Sequence, residues 1–156
     1  MYIKGIVICK ESGEYLLDLI LDSDINPVLL SSFIGALSLF GKDNLGKIEE
    51  ISITGLDVNM IIVYKYNLIL IAIVNKDFVR HDIRDEIEKA LDMFYSSYLD
   101  DIKKGVEVSV FNDFKKILYM QIQDYFAILK DKEVEQEIGD FGFFTEAIKR
   151  SKQGTE

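Results

Sequence analysis

The sequence predicts an α/β fold in which helices cover both faces of a five-stranded antiparallel sheet. Five short runs rich in isoleucine and valine are separated by links of hairpin length. Longer stretches repeat apolar residues at helical spacing. The chain has 156 residues, of which 49% are hydrophobic, and this is enough for one domain with a single core.

The strands are predicted at residues 3–9, 15–21, 48–54, 58–65 and 68–74. The fifth strand is apolar on both faces, and the first and fourth are nearly so. These three strands therefore belong in the middle of the sheet. The second strand carries aspartates and the third carries glutamates, which are tolerated at sheet edges. Together with the hairpin links, this predicts the strand order 2-1-5-4-3.

The first helix is predicted over Asn26–Gly41, a stretch without a charged residue. Asn26 suits the cap, Pro27 the first turn and Gly41 the end of the helix. We expect its bulky face to cover the sheet (Leu29, Leu30, Phe33, Ile34, Leu37 and Phe40). The opposite, small-residue face would then contact a second copy, another subunit or the chain's own tail (Val28, Ser31, Ser32, Gly35, Ala36, Ser38 and Leu39).

Two further helices are predicted, at residues 81–103 and 112–130, and these should cover the second face of the sheet. They suggest a basic domain over residues 1–104 and a helical extension, residues 105–156, packed on it. Near the end of the chain lies an aromatic cluster, Phe141, Phe143 and Phe144. This cluster would either fold onto its own domain or dock on another chain.

Several classes of function are disfavoured by the composition. The formal charge of −9 argues against nucleic-acid binding and against an electrostatic hold on anionic lipid. Cys9 and His81 are each the sole residue of their type, so no metal site, cofactor site or catalytic residue is predicted. A phosphate-binding GxxxxGK[ST] loop is also missing. The apolar stretch 60–74 is interrupted by Lys65 and Asn67, so we expect no direct membrane insertion.

Four segments together resemble the longin domain of the longin and roadblock superfamily, which is also profilin-like in architecture. They are the opening strand YIKGIVICK, the helix LLSSFIGALSLFG, the strand pair MIIVYKYNLILIAIV and the helix DIRDEIEKALDMFYSSYLDDI. The resemblance covers about residues 1–104. It implies a non-enzymatic scaffold or adaptor that binds or regulates a small Ras-like GTPase or a trafficking-type complex. No SNARE motif follows, so a vesicle-fusion role is not implied.

The resemblance also implies a homodimer, or a heterodimer with another longin or roadblock subunit, in the cytoplasm or at membranes through partners. Pairing in this superfamily uses the first helix and the third strand. The predicted interface is therefore made of residues from both elements: Val28, Ser31, Ser32, Gly35, Ser38, Leu39, Ile51 and Ile53.

A small-molecule sensor of profilin-like or PAS-like architecture is the alternative. It would need a partly polar cavity of some hundreds of cubic ångströms. The many isoleucines and leucines of the strands favour a solid core instead. An enzyme would need a cluster of perturbed ionisable residues in a cleft, and the sequence offers no candidates. The identity of the partner, and the choice between a homodimer and a heterodimer, stay open.

Overall fold

The computed structural model describes residues 2–53, 57–78 and 82–130, and these residues contain the predicted sheet. Its strands are β1 (Ile3–Lys10), β2 (Tyr15–Ile20), β3 (Glu50–Ile53), β4 (Val58–Lys65) and β5 (Leu68–Asn75). All pairs are antiparallel and the order is β2-β1-β5-β4-β3, which confirms the predicted order. The third strand is shorter than predicted.

The centre of the sheet is β5, whose residues 68–74 are buried on both faces. In its register, Ala72 lies between Ile6 of β1 and Ile61 of β4. A strand that is apolar on both faces belongs at the centre of this sheet, because its side chains are covered on both faces and do not contact water.

Helix α1 (Pro27–Asn44) covers one face of the sheet. The side chain of Asn26 accepts hydrogen bonds from the backbone N–H groups of Val28 (3.0 Å) and Leu29 (3.1 Å), so the predicted cap is present. The helix runs past Gly41, whose carbonyl accepts from the N–H of Leu45 at 2.8 Å.

Helix α2 (Ile83–Lys104) lies on the opposite face, against β4 and β5. Lys65 of β4 makes ion pairs there with Glu88 (3.0 Å) and Asp92 (2.9 Å) of α2. The Lys65 ammonium, followed by the Tyr66 hydroxyl, holds the pKa of Asp92 below its usual value. Tyr64, the residue before Lys65, packs against the core on the α1 side. Because successive residues of a strand point to opposite faces of the sheet, α1 and α2 cover opposite faces, as predicted.

Helix α2 ends at Gly105, whose φ of 67° lies in the left-handed region that favours glycine. A 3-10 helix follows over Val108–Asp113, and residues 114–130 are helical. The Phe94 ring of α2 lies 5.3 Å from that of Phe111 and 5.4 Å from that of Phe114. The predicted helix over 112–130 thus begins later, behind a 3-10 turn.

The aromatic cluster Phe141, Phe143 and Phe144, like His81, lies outside the described residues. The division of the chain at residue 104 stays a prediction. Within the described ranges, no helix is both long and apolar enough to cross a bilayer.

Candidate interaction surface on helix α1

Small residues of α1 lie against the chain's own sheet, which corrects the predicted assignment of the helix faces. Ser31 is fully buried and Gly35 is buried, whereas both were expected to meet a partner. Leu29, Phe33 and Phe40 were expected to cover the sheet, and they are exposed by 68%, 59% and 54%. Leu30 and Ile34 are buried as expected.

The rotation of α1 follows from a close backbone contact with the β1–β2 turn. A Cβ atom added at Gly35 would lie 2.4 Å from the Cα of Gly13 and 2.6 Å from its nitrogen. Only two glycines permit this approach, and Gly13 also needs its positive φ of 92° for the turn. The small residues therefore seat the helix on its own hairpin.

Serine hydroxyls on the inward side are satisfied within the chain. Ser31 donates to the Pro27 carbonyl at 2.7 Å, and Ser38 shares a 2.8 Å hydrogen bond with the Tyr64 hydroxyl. Ser38 is half-buried. Ser31 and Gly35 thus leave the predicted interface, and Ser38 is committed to β4.

What α1 presents to solvent is more apolar than the sequence predicted. We call this the outer face of α1, and it consists of Val28, Leu29, Ser32, Phe33, Ala36, Leu39 and Phe40. Leu39 is 66% exposed. A contiguous apolar surface on a helical stretch without charges, here residues 27–41, is typical of an interaction site. Val28, Ser32 and Leu39 of the predicted interface belong to it.

The open edge of the sheet is β3, which pairs with β4 alone among the described strands. Ile51 is partly buried and packs against the α1-side core, so it is available to a partner only in part. The side chain of Ile53 lies outside the described residues. At the other edge, β2 is flanked by the 3-10 helix.

Arg84 of α2 holds the beginning of the open edge in place. Its guanidinium donates to the carbonyls of Ile62 (2.9 Å) and Glu49 (2.8 Å). The carbonyl of Glu49 also accepts from the N–H of Ile62 at 2.9 Å. This contact is not predictable from residue types, because every residue has a backbone carbonyl.

Groups capable of chemistry are few in the described part of the chain. Burial raises the pKa of the Cys9 thiol to about 11, so the reactive thiolate is disfavoured near neutral pH. Within residues 2–53, 57–78 and 82–130, no three His, Cys, Asp or Glu side chains lie close enough together to hold a metal ion.

Two open clefts that are lined by described residues border α1. One, of about 260 Å³, lies between the end of α1 and β4, beside Ser38, Lys47 and Tyr64. The other, of about 500 Å³, lies between α1 and the β1–β2 turn, beside Ser12 and Gly35. Both are lined in part by Lys42.

No protein-family model matches the sequence, and no curated protein matches it either. Among solved structures, the chain is similar to the Roadblock/LC7 domain from Streptomyces avermitilis, with a TM-score of 0.40 and 11% sequence identity. The similarity covers 49% of this chain and 69% of that chain.

Proposed function

We propose that this chain is a non-catalytic interaction module that pairs with a second copy through the outer face of α1. The paired form would serve as a scaffold for a small Ras-like GTPase or for another longin or roadblock subunit. The observation that carries the proposal is the exposure of Leu29, Phe33 and Leu39 on one side of an uncharged stretch of helix.

The charge of the chain favours this place for contact between two copies. Each copy carries a formal charge of −9, so most faces would bring like charges together. Residues 26–41 contain no ionisable group. Two outer faces can therefore meet without burying a charge, and apolar burial contributes about 25 cal/mol per Å².

The open β3 edge is a second, weaker element of the proposal. Joining two β3 strands would extend the sheet through backbone hydrogen bonds. It would also bring Glu49 and Glu50 of the two copies close, which costs free energy at low ionic strength. We therefore assign the main contribution to α1.

Self-association is tested by sedimentation velocity over a range of protein concentrations. Leu39→Glu places a charge in the outer face and should shift the chain to the monomer. Met93→Glu is a matched control, since Met93 is an apolar residue of α2 with 40% exposure and α2 lies on the opposite face of the sheet. A wild-type chain that stays monomeric at high concentration, or a Leu39→Glu variant that associates as well as wild type, would refute the pairing.

The GTPase part rests on the resemblance noted from the sequence and needs its own experiment. A scaffold can affect a GTPase only through different affinities for its nucleotide states. Extract of the source organism is loaded with GDP or with a non-hydrolysable GTP analogue and passed over the immobilised chain. Identification of a Ras-like GTPase that is retained in one nucleotide state supports the proposal, whereas equal retention in both states, or none, contradicts regulation.

A further inference from the structure

The smaller cleft, which we call the terminal cleft, has the composition of a ligand site. It lies between the C-terminal end of α1, the loop that follows, and β4. Its lining includes Glu11, Ser38, Lys42, Lys47, Ile48 and Tyr64. Its volume of about 260 Å³ lies near the lower limit for ligand pockets, so the occupant is small.

Lys42 and Lys47 both line the terminal cleft, and they differ from four other described lysines in having no carboxylate partner. Lys10, Lys65, Lys76 and Lys89 each pair with a carboxylate. Among the described residues, Lys42 and Lys47 make no ion pair. The Lys47 ammonium instead lies 5.7 Å from the centroid of the Tyr64 ring. Two ammonium groups without carboxylate partners thus border one concave surface.

A hydroxyl pair between the lysines adds a directional donor. Ser38 and Tyr64 are joined by one hydrogen bond of 2.8 Å, which uses one of their two protons. The second proton remains available to an acceptor in the cleft. Burial is the main cause that raises the pKa of Tyr64, so its phenol stays protonated at neutral pH and retains that proton.

The charges in the cleft indicate which anion fits. Lys42 and Lys47 contribute two positive charges and Glu11 contributes one negative charge, so a monoanion balances the cleft. A phosphate ester would bring more negative charge next to Glu11. Ile48 and the face of Tyr64 supply apolar contact for the body of the ligand.

We propose that the terminal cleft binds a small monocarboxylate with an apolar body, through the ammonium groups of Lys42 and Lys47 and the Ser38–Tyr64 hydroxyl pair. The carboxylate accepts hydrogen bonds from these donors, and its apolar part lies against Ile48 and Tyr64. The site is separate from the outer face of α1 and does not depend on self-association.

Benzoate is a suitable probe, and backbone amide chemical shifts of the full chain are the readout. Benzoate should shift the amides of Ser38, Gly46 and Lys47 with saturation. Lys42→Gln and Lys47→Gln should each weaken binding by about fivefold, the upper range for one exposed charge contact. Lys116→Gln, at an exposed helical lysine outside the cleft, is the matched control and should bind as wild type.

Two further probes test the proposed chemistry. Benzyl alcohol keeps the ring but lacks the charge and should not saturate the same amides, and phenyl phosphate should bind less tightly than benzoate. The proposal is overturned if benzoate leaves the cleft amides unshifted, if both lysine variants bind like wild type, or if either comparison probe binds as well. Phe33→Glu also places a charge in the outer face, and position 33 lies more than two helical turns from Lys42. It should keep benzoate binding, so a failure of pairing and a failure of this site are distinguishable.

Discussion

Gly35→Ala is a test of the contact that orients α1, because two effects on the free energy of unfolding oppose each other. In an exposed helix interior, glycine to alanine stabilises by about 1 kcal/mol. Here the new methyl group would lie 2.4 Å from the Cα of Gly13, whereas carbon atoms in contact prefer about 3.5–4.0 Å. The atoms it meets are backbone, so a side-chain rotation cannot relieve the overlap.

The free-energy cost of the steric clash should exceed the gain in helix propensity. Overpacking typically costs about 1–3 kcal/mol, and a backbone neighbour favours the upper end. With the propensity gain deducted, we expect Gly35→Ala to destabilise by about 2 kcal/mol. At a typical urea m-value of about 2 kcal/mol/M, the unfolding midpoint should fall by about 1 M.

The sign of the change in the urea midpoint shows whether α1 rests on the β1–β2 turn. Ala36→Gly, at the adjacent exposed position, is the control and should lose about 1 kcal/mol through helix propensity alone. If Gly35→Ala raises the urea midpoint, α1 does not rest on Gly13 and the small-residue face is free, as the sequence pattern alone suggested.

Two other perturbations test the remaining structural statements. Arg84→Met removes two hydrogen bonds to the carbonyls of Ile62 and Glu49 and should destabilise by about 1–2 kcal/mol, with faster hydrogen exchange at the Ile62 amide. Exchange unchanged from wild type would mean that Arg84 does not hold the β3 edge. Because the pKa of buried Cys9 is raised to about 11, the native state keeps a proton that the unfolded state loses above about pH 9. Wild type should therefore lose stability between pH 9 and 11 more steeply than Cys9→Ala, by up to about 1.4 kcal/mol per pH unit in urea unfolding; parallel slopes would contradict the burial of this thiol.

The sheet was predictable because its order depends on local properties of each strand. A strand buried on both faces must be apolar on both, as residues 68–74 are, and hairpin links leave few ways to connect five strands. The Asn26 cap was predictable for a similar reason, since its side chain satisfies N–H groups only two and three residues away.

The rotation of α1 was not predictable from side-chain size. Apolar residues occur on every side of residues 28–40, so the pattern allows two possible inward faces, and side-chain bulk favours the wrong one. The rotation of α1 is determined by how closely its backbone can approach the backbone of the β1–β2 turn. The two glycines that allow this approach, Gly13 and Gly35, are distant in sequence. A glycine in the turn together with a glycine in the helix was the available signal.

The position of β5 has a consequence for how the chain is made and handled. Residues 68–74 contain no charge, proline or glycine. They pair with β1, and β2, α1, β3 and β4 all lie between β1 and β5 along the chain. Until these residues leave the ribosome, one side of β1 has no hydrogen-bond partner and is open to other chains. A fragment that stops before β5 should therefore aggregate, and refolding from denaturant should give the best yield in dilute solution.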